Sequence, residues 1–285
     1  MGYYFSVLIK VFISTIQAIG AHLTLSMAGI FFLAIPVSYS FMAYVSAIAQ
    51  RKFLFAPEWA FIIGLVLTFV LGLVLAYLYI KVSQESFTVL TAASILGFEA
   101  FLKSFGDITG GVLGIAGIMR PDFMRSLFSI MVISGLIMIV MLIIEHLIFR
   151  SHLGRSIRGL KESDVILESL GISSNKVSTI IIVLATMLSG IAGGMEVLRI
   201  QFLDPSFGGI PNLILIASIA ILAMKPSVKV VFGSTLFVVL LPELLRFFEF
   251  NPLIMGHLRM LLYSLLLVVL IRNLSGKYST ANRIV

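Results

Sequence analysis

Long uncharged apolar runs fill this chain, and short polar breaks separate them. The cleanest is Phe61–Ile80, which carries no charged residue. Ser126–Ile144 and Val177–Gly194 are close to it, and Ser86–Phe105 is interrupted only by Glu99 and Lys103. Leu23–Ala49 is uncharged for longer than one crossing needs, and Pro36 is expected to divide it, because proline frees a carbonyl and bends or breaks a helix. Phe5–Ile19 is a weaker candidate that contains Lys10. Pro211–Met224 and Val230–Phe248 flank the turn Lys225–Lys229, and Leu258–Ile271 is the last run. A helix needs ~20 apolar residues to cross a bilayer, so these runs predict an all-α polytopic bundle of about nine transmembrane helices, with a range of 8–10. They are expected to form a single domain over residues 1–285.

Composition agrees. Sixty per cent of the residues are hydrophobic, only 12% are charged, and the mean hydropathy is +1.13. A soluble domain carries about a quarter charged residues, so this apolar surface must face lipid. The net charge of +7 would suggest nucleic acid in a soluble protein. Here the bases cluster between apolar runs, where a positive-inside bias accounts for them and no nucleic-acid partner is expected. The chain has no cysteine, which excludes disulfides and thiolate metal sites. No cleavable signal is expected, because Met1–Phe5 lacks a basic start and no small-residue cleavage site follows the first run.

The longest polar interruption, 150–176, carries Arg150, Arg155, Arg158, Lys161 and Lys176, which predicts a cytoplasmic loop. Alternation then places 107–125 outside, Lys81–Glu85 inside, Gln201–Gly209 outside, and Lys225–Lys229 with the C-terminal tail inside. The N-terminus falls outside. Arg51, Lys52, Arg120 and Arg125 fall on the outer side and run mildly against the bias. Chemical motifs are missing: no GxxxxGK[ST], no GxGxxG after a strand, no HExxH and no GxSxG. The chain therefore has no P-loop for ATP and no nucleophile–base or metal constellation, and no cofactor of its own is expected.

Four stretches in register carry a resemblance. They are Asp107-Ile108-Thr109-Gly110-Gly111 with Gly114–Ile118 and Arg120-Pro121; Gly154–Glu162 with Glu168–Ile172; Leu188–Gly194; and Leu241–Arg246. Together they resemble the M-type membrane permease subunit of branched-chain amino-acid ABC importers, over about Ile16 to Arg272. The chain departs from that family's usual pattern at 29–36 and 224–229, near the expected path and gates, so the resemblance implies architecture more closely than cargo. It implies separate ATP-binding cassette ATPase subunits, a second permease subunit (homologous or identical), an extracytoplasmic substrate-binding protein, and the cytoplasmic (inner) membrane of a bacterium or archaeon. Branched-chain or related amino acids are the expected cargo. A related permease for urea or another amide, a sugar or a nucleoside is the first alternative. An ion-coupled secondary transporter and a membrane enzyme are others.

Particular residues follow. Ser163 can cap a short helix with Asp164 in its first turn, and Gly171 can close it in a left-handed conformation. Val165, Ile166, Leu167 and Leu170 would give it an apolar face. Composition alone reads the loop as a solvated basic linker on lipid headgroups. The resemblance makes it the segment contacting the ATPases, with Arg155, Arg158, Asp164, Leu167, Glu168, Leu170 and Gly171 as contact or aiming residues. Glu99 is read as the most membrane-embedded acid, either lining the path or paired with Lys103 four residues on. Thr109, Gly110, Gly111 and Pro36 are the other candidates for the path or its outer mouth. Glu196 with Arg199 and Glu243 with Arg246 read as structural pairs. His22 and His146 read as isolated, with metal binding not expected. Gly190, Gly193 and Gly194 are expected to allow close helix contact.

Overall fold

The computed structural model describes residues 2–244, 258, 260–269 and 272. The Leu241–Arg246 stretch and the final run are therefore described only in part, and the Glu243–Arg246 pairing and the C-terminal tail lie outside the described residues.

The chain is an all-α bundle. Helix α1 spans Gly2–Ala21 and continues as a π-helical turn, His22–Ala28. After it come α2 (Ile35–Arg51), α3 (Pro57–Lys81), α4 (Gln84–Ser104), a one-turn α5 (Gly106–Thr109), α6 (Leu127–Arg150), α7 (His152–Glu162) and α8 (Asp164–Ser169). Helices α9 (Ser174–Ile200), α10 (Ile210–Leu222) and α11 (Val228–Leu244) follow, with α12 at Met260–Val269. Serine hydroxyls start three of these: Ser83, Ser126 and Ser151 accept hydrogen bonds from the backbone N–H of Ser86, Ser129 and Gly154 at 3.2, 3.0 and 3.3 Å. Each satisfies one of the donors a helix leaves unpaired at its start.

Among the described residues, five helices are long and apolar enough to cross a membrane: Gly2–Ala28, α3, α4, α6 and α9. Their outward faces are apolar. Along α3, Ile62, Val66, Phe69, Leu73 and Tyr77 recur at helical spacing and all are exposed, as a lipid-facing stripe requires. The chain is a multi-pass membrane protein.

The first two sequence expectations change. Phe5–Ile19 and the start of Leu23–Ala49 form one helix, and the break falls at 29–34 rather than at Pro36. Gly29 ends the π-turn at φ +71°, and Pro36 sits in the first turn of α2, where its missing N–H costs nothing. The non-helical 29–34 backbone is tolerated because protein surrounds it: the Leu33 N–H donates to the Thr91 hydroxyl at 3.3 Å and Gln84 Nε2 donates to the Gly29 carbonyl at 2.8 Å.

Helix α9 is the centre of the bundle and packs against α1, α2 and α3. Its small residues permit this, as the sequence suggested: a Cβ on Gly193 would lie 1.9 Å from the Tyr39 carbonyl oxygen of α2.

The two ends of the bundle are tied differently. At one end, Lys161 Nζ on α7 donates to the Ser26 carbonyl of the π-turn at 2.9 Å, beside Gln84 and the Lys225 turn. At the other end, 107–125 is an ordered cap rather than a loose loop. Ile115–Ala116 (β1) pairs antiparallel with Phe202–Leu203 (β2). Gly114, at φ +71°, must be glycine there, since a Cβ would lie 2.0 Å from the Leu203 carbonyl oxygen.

Candidate functional site

A cavity of about 390 Å³ opens where the broken segments meet. Helix α1 contributes Lys10, Ser14 and Gln17, α2 contributes Tyr39, and α9 contributes Glu196. Asp204 and Phe207 come from the turn before α10, Pro211 and Asn212 from its first turn, and Met260 and Tyr263 from α12. Helix α10 has only 13 residues, about 20 Å. The turn before it lies against the start of α2, where a Cβ on Gly208 would be 2.2 Å from the Pro36 carbonyl oxygen.

Polar groups join these elements across the cavity wall. Gln17 Nε2 donates to Asn212 Oδ1 at 2.8 Å, and Asn212 Nδ2 donates back to Gln17 Oε1 at 3.4 Å. Gln17 Nε2 also reaches the Ser189 hydroxyl at 3.4 Å, and that hydroxyl donates to the Ile35 carbonyl at 2.6 Å. One network thus links α10, α1, α9 and the first residue of α2. Tyr39 stacks on Phe207 at 4.8 Å between ring centres. Glu196 holds Arg199 through both carboxylate oxygens, at 2.7 and 2.5 Å, which fixes its orientation beside the cavity. The arrangement offers a small solute amide and hydroxyl partners, one acid at each of two positions, a lysine and three aromatic side chains. It contains no nucleophile with an activating base, and no group of three or more metal-ligating side chains occurs among the described residues.

The sequence-derived residues divide among three places. Pro36 adjoins the cavity through its carbonyl. Glu99 is outside it on α4, paired with Lys103 at 2.7 Å, with its other oxygen 3.3 Å from the Cβ position of Gly209 in the turn before α10. Thr109, Gly110 and Gly111 sit in the end cap: the Thr109 hydroxyl donates to the Leu102 and Phe105 carbonyls at 2.5 and 2.7 Å, and both glycines turn the chain at positive φ. Arg120 holds this cap to α9, donating to the Leu198 and Arg199 carbonyls at 2.7 Å each, where a helix C-terminus presents unpaired acceptors. Burial, with the nearby Arg199 charge adding to it, lowers the Arg120 pKa, and those carbonyls stand in for lost water.

In the basic segment, α7 was not anticipated and α8 was. Gly171 closes α8 at φ +76°: its N–H reaches the Glu168 carbonyl and the Ile172 N–H the Leu167 carbonyl, the paired bonds of a Schellman motif. Leu167 is 2% exposed and packs on Gly159 of α7, so it holds the two helices together instead of facing outward. Val165 and Leu170 are 77% and 71% exposed. Arg155 bonds to His152 at 2.7 Å, Arg158 reaches the Phe149 carbonyl at 3.4 Å, Asp164 is exposed, and Glu168 accepts the Ser174 hydroxyl at 2.6 Å.

Spacing along the chain gave no sign of Gln17, Asn212 or Glu145. The reading of His22 as isolated is corrected: His22 Nδ1 meets Glu145 Oε1 at 2.7 Å with both side chains 0% exposed, and His22 Nε2 lies 3.2 Å from the Lys225 carbonyl. Among the described residues Glu145, not Glu99, is the most deeply enclosed acid.

A helical bundle with an apolar outer face and a polar cavity beside its broken helices is the architecture of a multi-pass membrane protein. Residues 3–271 match the family described as branched-chain amino acid transport system / permease component, and the chain belongs to that family. No curated protein and no solved structure matched it. It is a transport permease.

Proposed function

We propose that this chain is the transmembrane subunit of an ATP-binding-cassette importer, carrying a branched-chain or related amino acid through the Gln17–Asn212 cavity. Separate ATPase subunits bind the nucleotide, a binding protein delivers the solute to the 107–125 end, and a second permease subunit completes the path. The membrane is the cytoplasmic one of a bacterium or archaeon, with 150–176 inside. The permease itself makes and breaks no covalent bond and needs no cofactor. Other small solutes, such as amides, sugars or nucleosides, remain the runner-up cargo.

One observation carries this reading. The α7–α8 segment presents exposed Val165 and Leu170 at its tip, while Lys161 on the same segment bonds to the π-turn that continues α1. A pull on the tip therefore reaches a helix that lines the cavity. Leu170→Asp places a charge where an apolar groove on the ATPase would receive a leucine. Gly171→Val forces a β-branched residue to positive φ at a cost of ~1–2 kcal/mol and re-aims α8. Both variants should insert normally and lose ATPase co-purification or solute-stimulated ATP hydrolysis, together with uptake. Normal assembly and uptake by Leu170→Asp would remove the coupling role. The buried His22–Glu145 pair supports the other reading, ion-coupled transport, because ionisable groups at membrane depth are costly and tend to be functional. Uptake driven by a proton gradient in vesicles without ATPase would decide for it.

A further inference from the structure

A hollow of about 630 Å³ lies away from the cavity above. It is bounded by the last three turns of α6, by α7, and by the turn that starts α11. Arg150, Arg158 and Lys229 line it, and no acidic residue does. None of the three is in an ion pair among the described residues. Helix α11 begins at Val228 beside them, so its amino-terminal dipole adds positive potential at the same place. Below the cations His146 is the one polar side chain that α6 adds to the wall; the rest of it is apolar, and exposed Ile139 and Ile143 carry it along the outer face of α6.

We propose that this hollow binds one anionic phospholipid of the leaflet at the basic end of the bundle. Each half of the site asks for one half of that molecule. Three cations around one space repel each other unless an anion lies between them, and a phosphate diester with an acidic headgroup supplies it. The apolar wall suits acyl chain. Ile139 is eleven residues before Arg150, roughly 16 Å deeper along the helix, which a side chain of a soluble partner does not reach and a lipid tail does. Free phosphate would satisfy the cations and leave that wall bare. The ligand would bridge α6 and α7 to the turn whose Lys225 carbonyl contacts His22, tying the α7–α8 segment to the membrane. The inference depends only on the chain crossing a membrane, not on what it carries.

Lipid retention measured by native mass spectrometry tests it. The full chain is reconstituted with phosphatidylglycerol or phosphatidylcholine of identical acyl chains and then delipidated. One phosphatidylglycerol should survive, with about tenfold preference over phosphatidylcholine. The triple change Arg150→Gln, Arg158→Gln, Lys229→Gln should abolish the preference, while Lys52→Gln with Arg125→Gln, at the opposite end, should leave it intact. Lys229→Gln alone, on an exposed turn, should reduce it about threefold and serves where the triple variant elutes as aggregate. Equal retention of the two lipids, or an undiminished preference in the Lys229→Gln variant, overturns the proposal. So does release of the lipid by millimolar glycerol phosphate, which would mark a small-anion site, or its expulsion when ATPase subunits bind, which would mark a protein contact.

Discussion

Two buried polar clusters concentrate the chemistry at the residue scale. Glu145 and His22 are fully enclosed, and Glu145 Oε2 has no hydrogen-bond partner, so the carboxylate depends on the histidine. Removing one partner of such a pair strands the other in a medium that solvates it poorly. His22→Leu should therefore lower stability by ~3–5 kcal/mol, whereas His22→Leu combined with Glu145→Met should recover most of it. Thermal unfolding of the two purified variants checks this, and equal midpoints would mean the pair is not coupled. The Gln17–Asn212 pair is different because it faces the cavity. Gln17→Leu leaves an amide without its partner, about 1–3 kcal/mol, and removes a donor from the wall. Uptake should weaken through a higher KM, about tenfold for 1.4 kcal/mol, with ATPase assembly unchanged. An unaltered KM would place the solute elsewhere.

At the element scale, close helix approach and helix interruption shape the protein together. Helix α9 can sit at the centre because Gly193 lets the Tyr39 carbonyl approach within the space a side chain would occupy. Gly193→Ala should force α9 and α2 apart and cost at least ~1–3 kcal/mol. Gly97 on α4 has nothing within 4 Å of its Cβ position, so Gly97→Ala should stabilise by ~0.5–1 kcal/mol. Opposite shifts of the two melting temperatures are the expected outcome; equal shifts would contradict the packing. The interruptions do complementary work. The 29–34 segment and the turn before α10 precede two helix starts that meet where Gly208 lies against the Pro36 carbonyl, and the cavity opens beside them.

For the whole molecule, one end carries the basic α7–α8 segment with its exposed Val165 and Leu170, and the other the glycine-turned 107–125 segment. The proposed sidedness is directly measurable, since the chain has no cysteine of its own. Single cysteines at Ser279 and at exposed Val112 should label from the inside and the outside respectively. Labelling of Ser279→Cys from outside would invert the orientation and, with it, the assignment of the ATPase and binding-protein ends.

What the sequence determined by itself was local or additive. Runs of apolar residues located the long helices, and four stretches in register pointed to the permease family to which the chain belongs. Glycines at Gly114, Gly171 and Gly193 were legible because a missing side chain has the same meaning wherever the backbone turns or another helix approaches. What only the tertiary structure decided was which polar residues meet. His22 and Glu145 are 123 positions apart, and Gln17 and Asn212 are 195 apart. In a bundle whose outer surface is as apolar as its core, hydropathy does not say which helix face points inward, so no periodicity announces such pairs. The same ambiguity moved the break from Pro36 to Gly29 and turned Leu167 inward, because both depend on what neighbouring helices offer to a free carbonyl or an apolar side chain.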